Sequence, residues 1–120
     1  MDEGLKFPRE ERIRLSQSGW NKIRKLVYER DGYRCIICGS HSALHVHHVR
    51  FRSAYGSDTL DNLVCVCAKC HDIYCHGVKS KRWRNSFIDY LAGKREWNEA
   101  HKEQALNIYT KHERRKSERK

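Results

Sequence analysis

Two Cys-x-x-Cys pairs, Cys35/Cys38 and Cys67/Cys70, constrain this chain more than any other feature of its 120 residues. Within each pair the thiolates stand close enough to reach one ion at about 2.3 Å, and two such knuckles complete a tetrahedral four-cysteine site. The start of the chain, Met1 to Lys6, has neither a basic segment leading to an apolar stretch nor a small-residue cleavage site, so it does not read as an export signal. In the reducing cytoplasm that this implies, six cysteines point to metal before disulfide, and structural zinc is the expected occupant. The 28 residues between Cys38 and Cys67 exceed the gap of a short zinc ribbon, so a further element is built inside it. Cys65, in an alternating apolar run, reads as a small buried hydrophobe. Cys75 lies four residues after His71 and would share a helical face with it.

The chain is short enough for one compact unit and excludes a large multidomain enzyme. A hydrophobic fraction of 38%, with 33% charged residues, describes a thin core under a busy surface, and no apolar run approaches the ~18 residues of a membrane span. The net charge of +10 is unevenly spread. Residues 1–30 carry 8 basic and 5 acidic side chains, residues 31–77 carry 4 and 4, and residues 78–120 carry 13 and 6. Basic flanks around a neutral middle suit elements that attract a polyanion while the centre does something else.

The first 17 residues are polar and read as a loose arm. From Ser18, a candidate N-cap, Trp20, Ile23, Leu26 and Val27 recur at helical spacing until Asp31-Gly32. Residues 43–51 and 62–66 read as strands, separated by a glycine-containing loop over 53–61. A helix is expected through His71 to about His76. Residues 79–92 then place Trp83, Phe87, Tyr90 and Leu91 on one helical face, and 95–112 form one further helix with Trp97, Ala105, Ile108 and Tyr109 inward. The charged end, 113–120, is expected to be disordered. The domain reading is therefore an arm (1–17), a core (18–77), basic C-terminal helices (78–112) and a tail (113–120).

Inside the cysteine interval stand Leu44-His45-Val46-His47-His48-Val49 and then Asn62, and His71 directly follows a zinc ligand. On a regular strand His47 and His48 point to opposite faces, but the apolar phase shifts between Val46 and Val49, as a bulge or strand end would produce; such an irregularity lets both rings approach one centre. His71 is tied covalently to Cys70, so a fixed knuckle also fixes that imidazole. His41, His101 and His112 read as ordinary surface or core histidines, and His45 as surface.

Residues 20–77 resemble an HNH endonuclease. The likeness rests on Arg30-Asp31-Gly32-Tyr33-Arg34-Cys35-Ile36-Ile37-Cys38-Gly39, on Leu44-His45-Val46-His47-His48-Val49, on Asp61-Asn62-Leu63-Val64 and on Cys67-Ala68-Lys69-Cys70-His71. It implies an α+β fold, a small ββα-metal finger braced by a zinc site of four cysteines, Cys35, Cys38, Cys67 and Cys70, flanked here by an N-terminal helix and two C-terminal basic helices. It also implies metal-dependent cleavage of DNA, expected to be double-stranded. By the same resemblance His47 and His71 hold one catalytic divalent ion, His48 is the general base and Asn62 holds the base loop. Histidine at 47 replaces the commoner carboxylate. Cys75 falls where many relatives carry a further histidine, with His76 one residue late, which leaves a third ligand open.

Two imidazoles and no carboxylate favour manganese, nickel, cobalt or zinc over magnesium. Lys79, Lys81, Arg82 and Arg84, together with Arg50 and Arg52, are the candidate DNA contacts. The competing reading is a catalytically silent zinc module that binds DNA. No membrane partner is expected, and monomer and homodimer are both compatible with the sequence.

Overall fold

The computed structural model describes residues 12–54, 56–76 and 80–113. Helix α1 spans Gln17–Arg30, and its cap is Ser16, two residues before the expected Ser18: the Ser16 hydroxyl accepts the Gly19 amide at 3.2 Å. Ile23, Leu26 and Val27 form the buried stripe. The helix stops because Asp31 leaves the helical conformation and Gly32 adopts φ +77°, a region that favours glycine.

Strands β1 (Leu44–His48) and β2 (Leu63–Cys67) form a two-stranded antiparallel sheet, followed at once by α2 (Ala68–Tyr74). This is a ββα unit in a mixed α+β fold. The strands pair one to one from Leu44↔Cys67 to His48↔Leu63, so no bulge separates His47 from His48, and β1 ends at His48 rather than running on to Phe51. The two imidazoles consequently turn to different neighbours. Every residue of β2 is buried. Val64 and Val66 join Cys35, Cys75, Phe87 and Leu91 in one apolar cluster, while Leu63 and Cys65 join Ile23, Leu26, Ala105 and Ile108 in another. The sheet is the middle layer between α1 with the C-terminal helix and α2 with α3 (Ser80–Ala92).

The expected single helix over 95–112 is two, α4 (Arg95–Ala100) and α5 (Lys102–His112). The break falls at His101, which leaves the helical conformation; its ring stacks on Trp97 at 3.5 Å, and the Trp97 carbonyl oxygen accepts the His101 amide at 3.2 Å with His101 Nδ1 2.9 Å away. Residues 12–16, read as part of an arm able to dock as a short helix, dock without forming one. The Ile13 amide donates to Ser57 Oγ at 3.0 Å, Asp58 N–H donates to the Ile13 carbonyl at 3.0 Å, and Leu15 is buried and bridges to Glu113. The rest of the arm and of the tail, residues 1–11 and 114–120, lies outside the described residues. Among the described residues no helix is long and apolar enough to cross a membrane.

A buried ion pair joins these layers. Arg30 and Asp31 side chains are both fully buried, with Nε–Oδ1 at 2.9 Å and the second guanidinium nitrogen on Oδ2 at 3.2 Å. Arg30 also donates to the Leu60 carbonyl at 2.7 Å and to the Leu63 carbonyl, while Asp31 accepts the Cys65 amide at 3.0 Å and the Tyr90 hydroxyl at 2.7 Å. Asp31→Ala leaves a charged guanidinium buried without its partner and is expected to cost about 3–5 kcal/mol. Urea unfolding of the zinc-loaded protein checks this, and a loss under about 1 kcal/mol, the size of a surface pair, would show that the pair does not hold the layers.

Candidate metal centres and the histidine cluster

The turn at Gly32 delivers Cys35 to the first knuckle, where the Ile37 and Cys38 amides approach the Cys35 sulfur at 3.4 and 3.5 Å. Cys67 is both the last residue of β2 and the N-cap of α2, and its sulfur accepts the Cys70 amide at 3.4 Å. One sulfur from each of Cys35, Cys38, Cys67 and Cys70 lies within 4.8 Å of the others, and Cys38 and Cys67 sulfurs are 3.7 Å apart. A tetrahedron with 2.3 Å metal–sulfur bonds has edges of roughly 3.8 Å, so this spacing fits zinc. All six cysteines are free thiols. Burial pushes the Cys35 thiol up, but the backbone N–H groups of Cys38, Cys67 and Ile37 outweigh it and bring it down to about 7, toward the thiolate a metal needs. Cys65 and Cys75 stand outside the cluster, and burial raises each to about 12. Cys75 caps α2 with its amide on the His71 carbonyl at 3.3 Å, but its thiol packs in the apolar cluster and does not join the histidines.

The second cluster forms where β1 meets α2. His47 from β1, His71 from α2 and His76 just beyond it each offer one ring nitrogen, all within 4.8 Å of one another. Ring centroids are 5.1 Å apart for His47–His71, 5.7 Å for His47–His76 and 4.7 Å for His71–His76, each pair edge to face. Of the two candidates that the sequence left open, His76 and not Cys75 brings a third nitrogen within reach of His47 and His71. His47 is only 5% exposed, and burial, with His71 and His76 beside it, lowers it to about 3. His71 is lowered too, by burial first and then by the neighbouring His76 and His45. Both rings are thus neutral, the form that donates a lone pair to metal. Phe51 and Phe87 contact the His47 ring at 5.8 Å each, and His45, exposed, lies 5.7 Å from His71 without joining the triad.

His48 lies apart from that triad. Its Nε2 is 2.8 Å from Asp58 Oδ1, and its ring stacks on Trp20 at 5.3 Å with planes 6° apart. Asn62, fully buried, accepts the Arg50 amide at 2.8 Å and donates to the carbonyls of Arg50 at 3.1 Å and Ser57 at 2.9 Å. It clasps both ends of the loop that follows His48. Gly56 lies in that loop, where any side chain would run into the Arg50 carbonyl. Asp58 and the stacking role of Trp20 were not foreseen: Trp20 read as helix core, and Asp58 as one polar residue in a loop.

Of the basic candidates, Arg84 reaches the histidine cluster, its guanidinium 5.6 Å from the Phe51 ring centre and its charge contributing to the lowering of His47. Lys81 and Arg82 lie on α3, Lys81 exposed. Arg50 donates to the Ala54 carbonyl at 3.1 Å, and Arg52, with its side chain 53% exposed, pairs with Asp58 at 3.5 Å. Lys79 lies outside the described residues.

Both clusters, the sheet and α2 fall within one stretch that comparison with known families recognises. Residues 35–77 match the HNH endonuclease family. The match covers a little more than a third of the chain, and α1 and α3–α5 lie outside it. No curated protein and no solved structure matches the chain.

The two clusters separate in a metal analysis. Cys38→Ser is expected to release zinc and lose most of the folded structure by circular dichroism, because structural zinc supplies folding energy directly. His71→Ala is expected to keep the cysteine-bound zinc and the fold. Retention of zinc by the Cys38 variant and loss by the His71 variant would reverse the assignment of the two sites.

Proposed function

We propose that the chain is a metal-dependent HNH endonuclease that hydrolyses DNA phosphodiester bonds. The observation that carries this reading is the convergence of His47, His71 and His76 within one another's reach, one residue along the strand from a fourth imidazole, His48. A divalent ion in the histidine triad would supply Lewis-acid stabilisation of the phosphate and its departing 3′ oxygen. The residues of the chain do the rest. His47 and His71, with His76, orient the ion; His48 takes a proton from the attacking water; Asn62 holds the backbone that carries His48. The new bond joins water oxygen to phosphorus and the broken one frees the 3′ oxygen, leaving a 5′-phosphate and a 3′-hydroxyl.

In this reading residues 18–77 are the nuclease core and 78–112 the basic helices that hold substrate. Double-stranded DNA is the expected partner, because the surplus of positive charge sits on elements that flank a neutral centre. Arg84, Lys81 and Arg82 from α3, with Arg50, Arg52 and Lys79, are the phosphate contacts. A silent DNA-binding zinc module accounts for the cysteines and the charge. It gives no reason for three imidazoles to meet at the junction of strand and helix.

Supercoiled plasmid incubated with the zinc-loaded protein and added metals tests the reading. Nicked or linear product is expected with manganese, cobalt or nickel at least as readily as with magnesium, since nitrogen donors suit the former ions. His48→Ala is expected to slow cleavage by about 10²- to 10⁴-fold while DNA binding persists. Binding without cleavage under every metal would favour the silent module, and strict magnesium dependence would count against the histidine ligands.

A further inference from the structure

We propose that Asp58 is the positioning residue of His48: it receives the Nε2 hydrogen and, with Trp20 stacked on the ring, holds the tautomer whose Nδ1 lone pair is free to take a proton from water. The proposal rests on the nuclease reading for its purpose, but its geometry stands by itself.

Asp58 is 1% exposed and comes from the loop clasped by Asn62, ten positions after His48. It belongs to no part of the histidine triad. The polar neighbours of its carboxylate are donors: His48 Nε2 at 2.8 Å and Arg14 at 3.3 Å on Oδ1, the Leu15 amide at 3.0 Å and Arg52 at 3.5 Å on Oδ2. Burial alone would raise this acid, but the hydrogen bonds from His48 and Leu15 and the charge of Arg52 outweigh it and hold Asp58 below the ordinary carboxylate range. A carboxylate has no hydrogen to give. The hydrogen on the 2.8 Å line to His48 therefore belongs to Nε2, and a neutral ring so bonded has its lone pair on Nδ1. Trp20 covers one face with planes 6° apart and so limits tilting of the ring, while the Asp58 bond selects which of the two flipped orientations in that plane is taken. The same arrangement stabilises the imidazolium formed when the water proton arrives, as an acid behind a catalytic histidine does elsewhere.

A purely structural role is the alternative, since Asp58 also ties Leu15 and Arg14 to the loop. Two measurements separate them. In two-bond nitrogen–proton spectra of the full zinc-loaded chain, recorded at a pH where those spectra show the His48 ring deprotonated, the His48 signals, assigned by their loss in His48→Ala, are expected to show the Nε2–H tautomer. An Nδ1–H tautomer overturns the proposal, whether or not the protein cleaves DNA. In single-turnover plasmid cleavage, Asp58→Asn is expected to lower the rate at saturating DNA by at least about tenfold with DNA affinity unchanged, and to cost nothing further in the His48→Ala background. Independent, multiplicative losses in the double variant would assign Asp58 to the fold alone. If the wild type cuts nothing, the nuclease reading fails and the tautomer spectrum still decides the placement of the hydrogen.

Discussion

The Arg30–Asp31 pair fixes where β2 lies, and the site depends on β2. Neither charge reaches solvent, so each must be satisfied by the protein, and the groups that do so come from distant parts of the chain. The Leu60 and Leu63 carbonyls take the guanidinium; the Cys65 amide and Tyr90 hydroxyl take the carboxylate. Burying two such charges is costly and returns little net stability over a well-packed apolar substitute. What the arrangement gives is position. It locks the end of α1 to the edge of β2 and brings α3 against the same point. Once β2 is placed, its one-to-one pairing places His47 and His48 on β1, and its last residue, Cys67, begins the second zinc knuckle.

From that knuckle the coupling is covalent. Cys70 and His71 are neighbours in one short helix capped by Cys67, so the sulfur cluster and the imidazole cluster cannot shift independently. The regular sheet does the opposite for His47 and His48. Alternation sends one ring to α2 and the other to α1 and the loop, which separates the group that would hold metal from the group that would take a proton. Of the two causes that the apolar phase allowed, a bulge or a strand end, the structure has the second: β1 ends at His48, and Asn62 redirects the chain at Arg50, yet the two rings do not meet at one centre.

The features legible in the sequence were those in which chemistry and spacing coincide locally: the two knuckles, the stripe of α1, the ββα order, and the histidine pair with Asn62. What stayed hidden depends on lengths and contacts that spacing does not encode. The choice between Cys75 and His76 turns on packing: the Cys75 thiol enters the apolar cluster, and the His76 ring reaches His47 and His71. The break between α4 and α5 falls at His101, where the backbone leaves the helical conformation while the ring folds back onto Trp97. Arg30 and Asp31 belong to the quoted motif, yet a charged pair at a helix end reads as surface, because its burial depends on partners thirty or more residues away. Asp58 is the same case, a loop acid whose meaning appears only when His48, Leu15 and Arg52 arrive around it.

The distribution of negative charge gives the nuclease reading its physical sense. Many sites of this chemistry place a carboxylate on the ion, which lowers its effective charge. Here the three donors in reach are imidazoles, with His47 and His71 held neutral, so an ion held by them keeps its full charge for the phosphate. The buried carboxylate stands instead behind His48, where a positive charge develops when the base accepts its proton. Arg14 and Arg52 partly neutralise it, which limits how strongly it would draw a cation away from the triad. Coulomb interactions at these short distances are worth several kcal/mol at a partly buried site, so moving an acid from the ion to the base changes which step it assists. In the nuclease reading the arrangement would strengthen the electrophile and the base together, without asking one carboxylate to serve both.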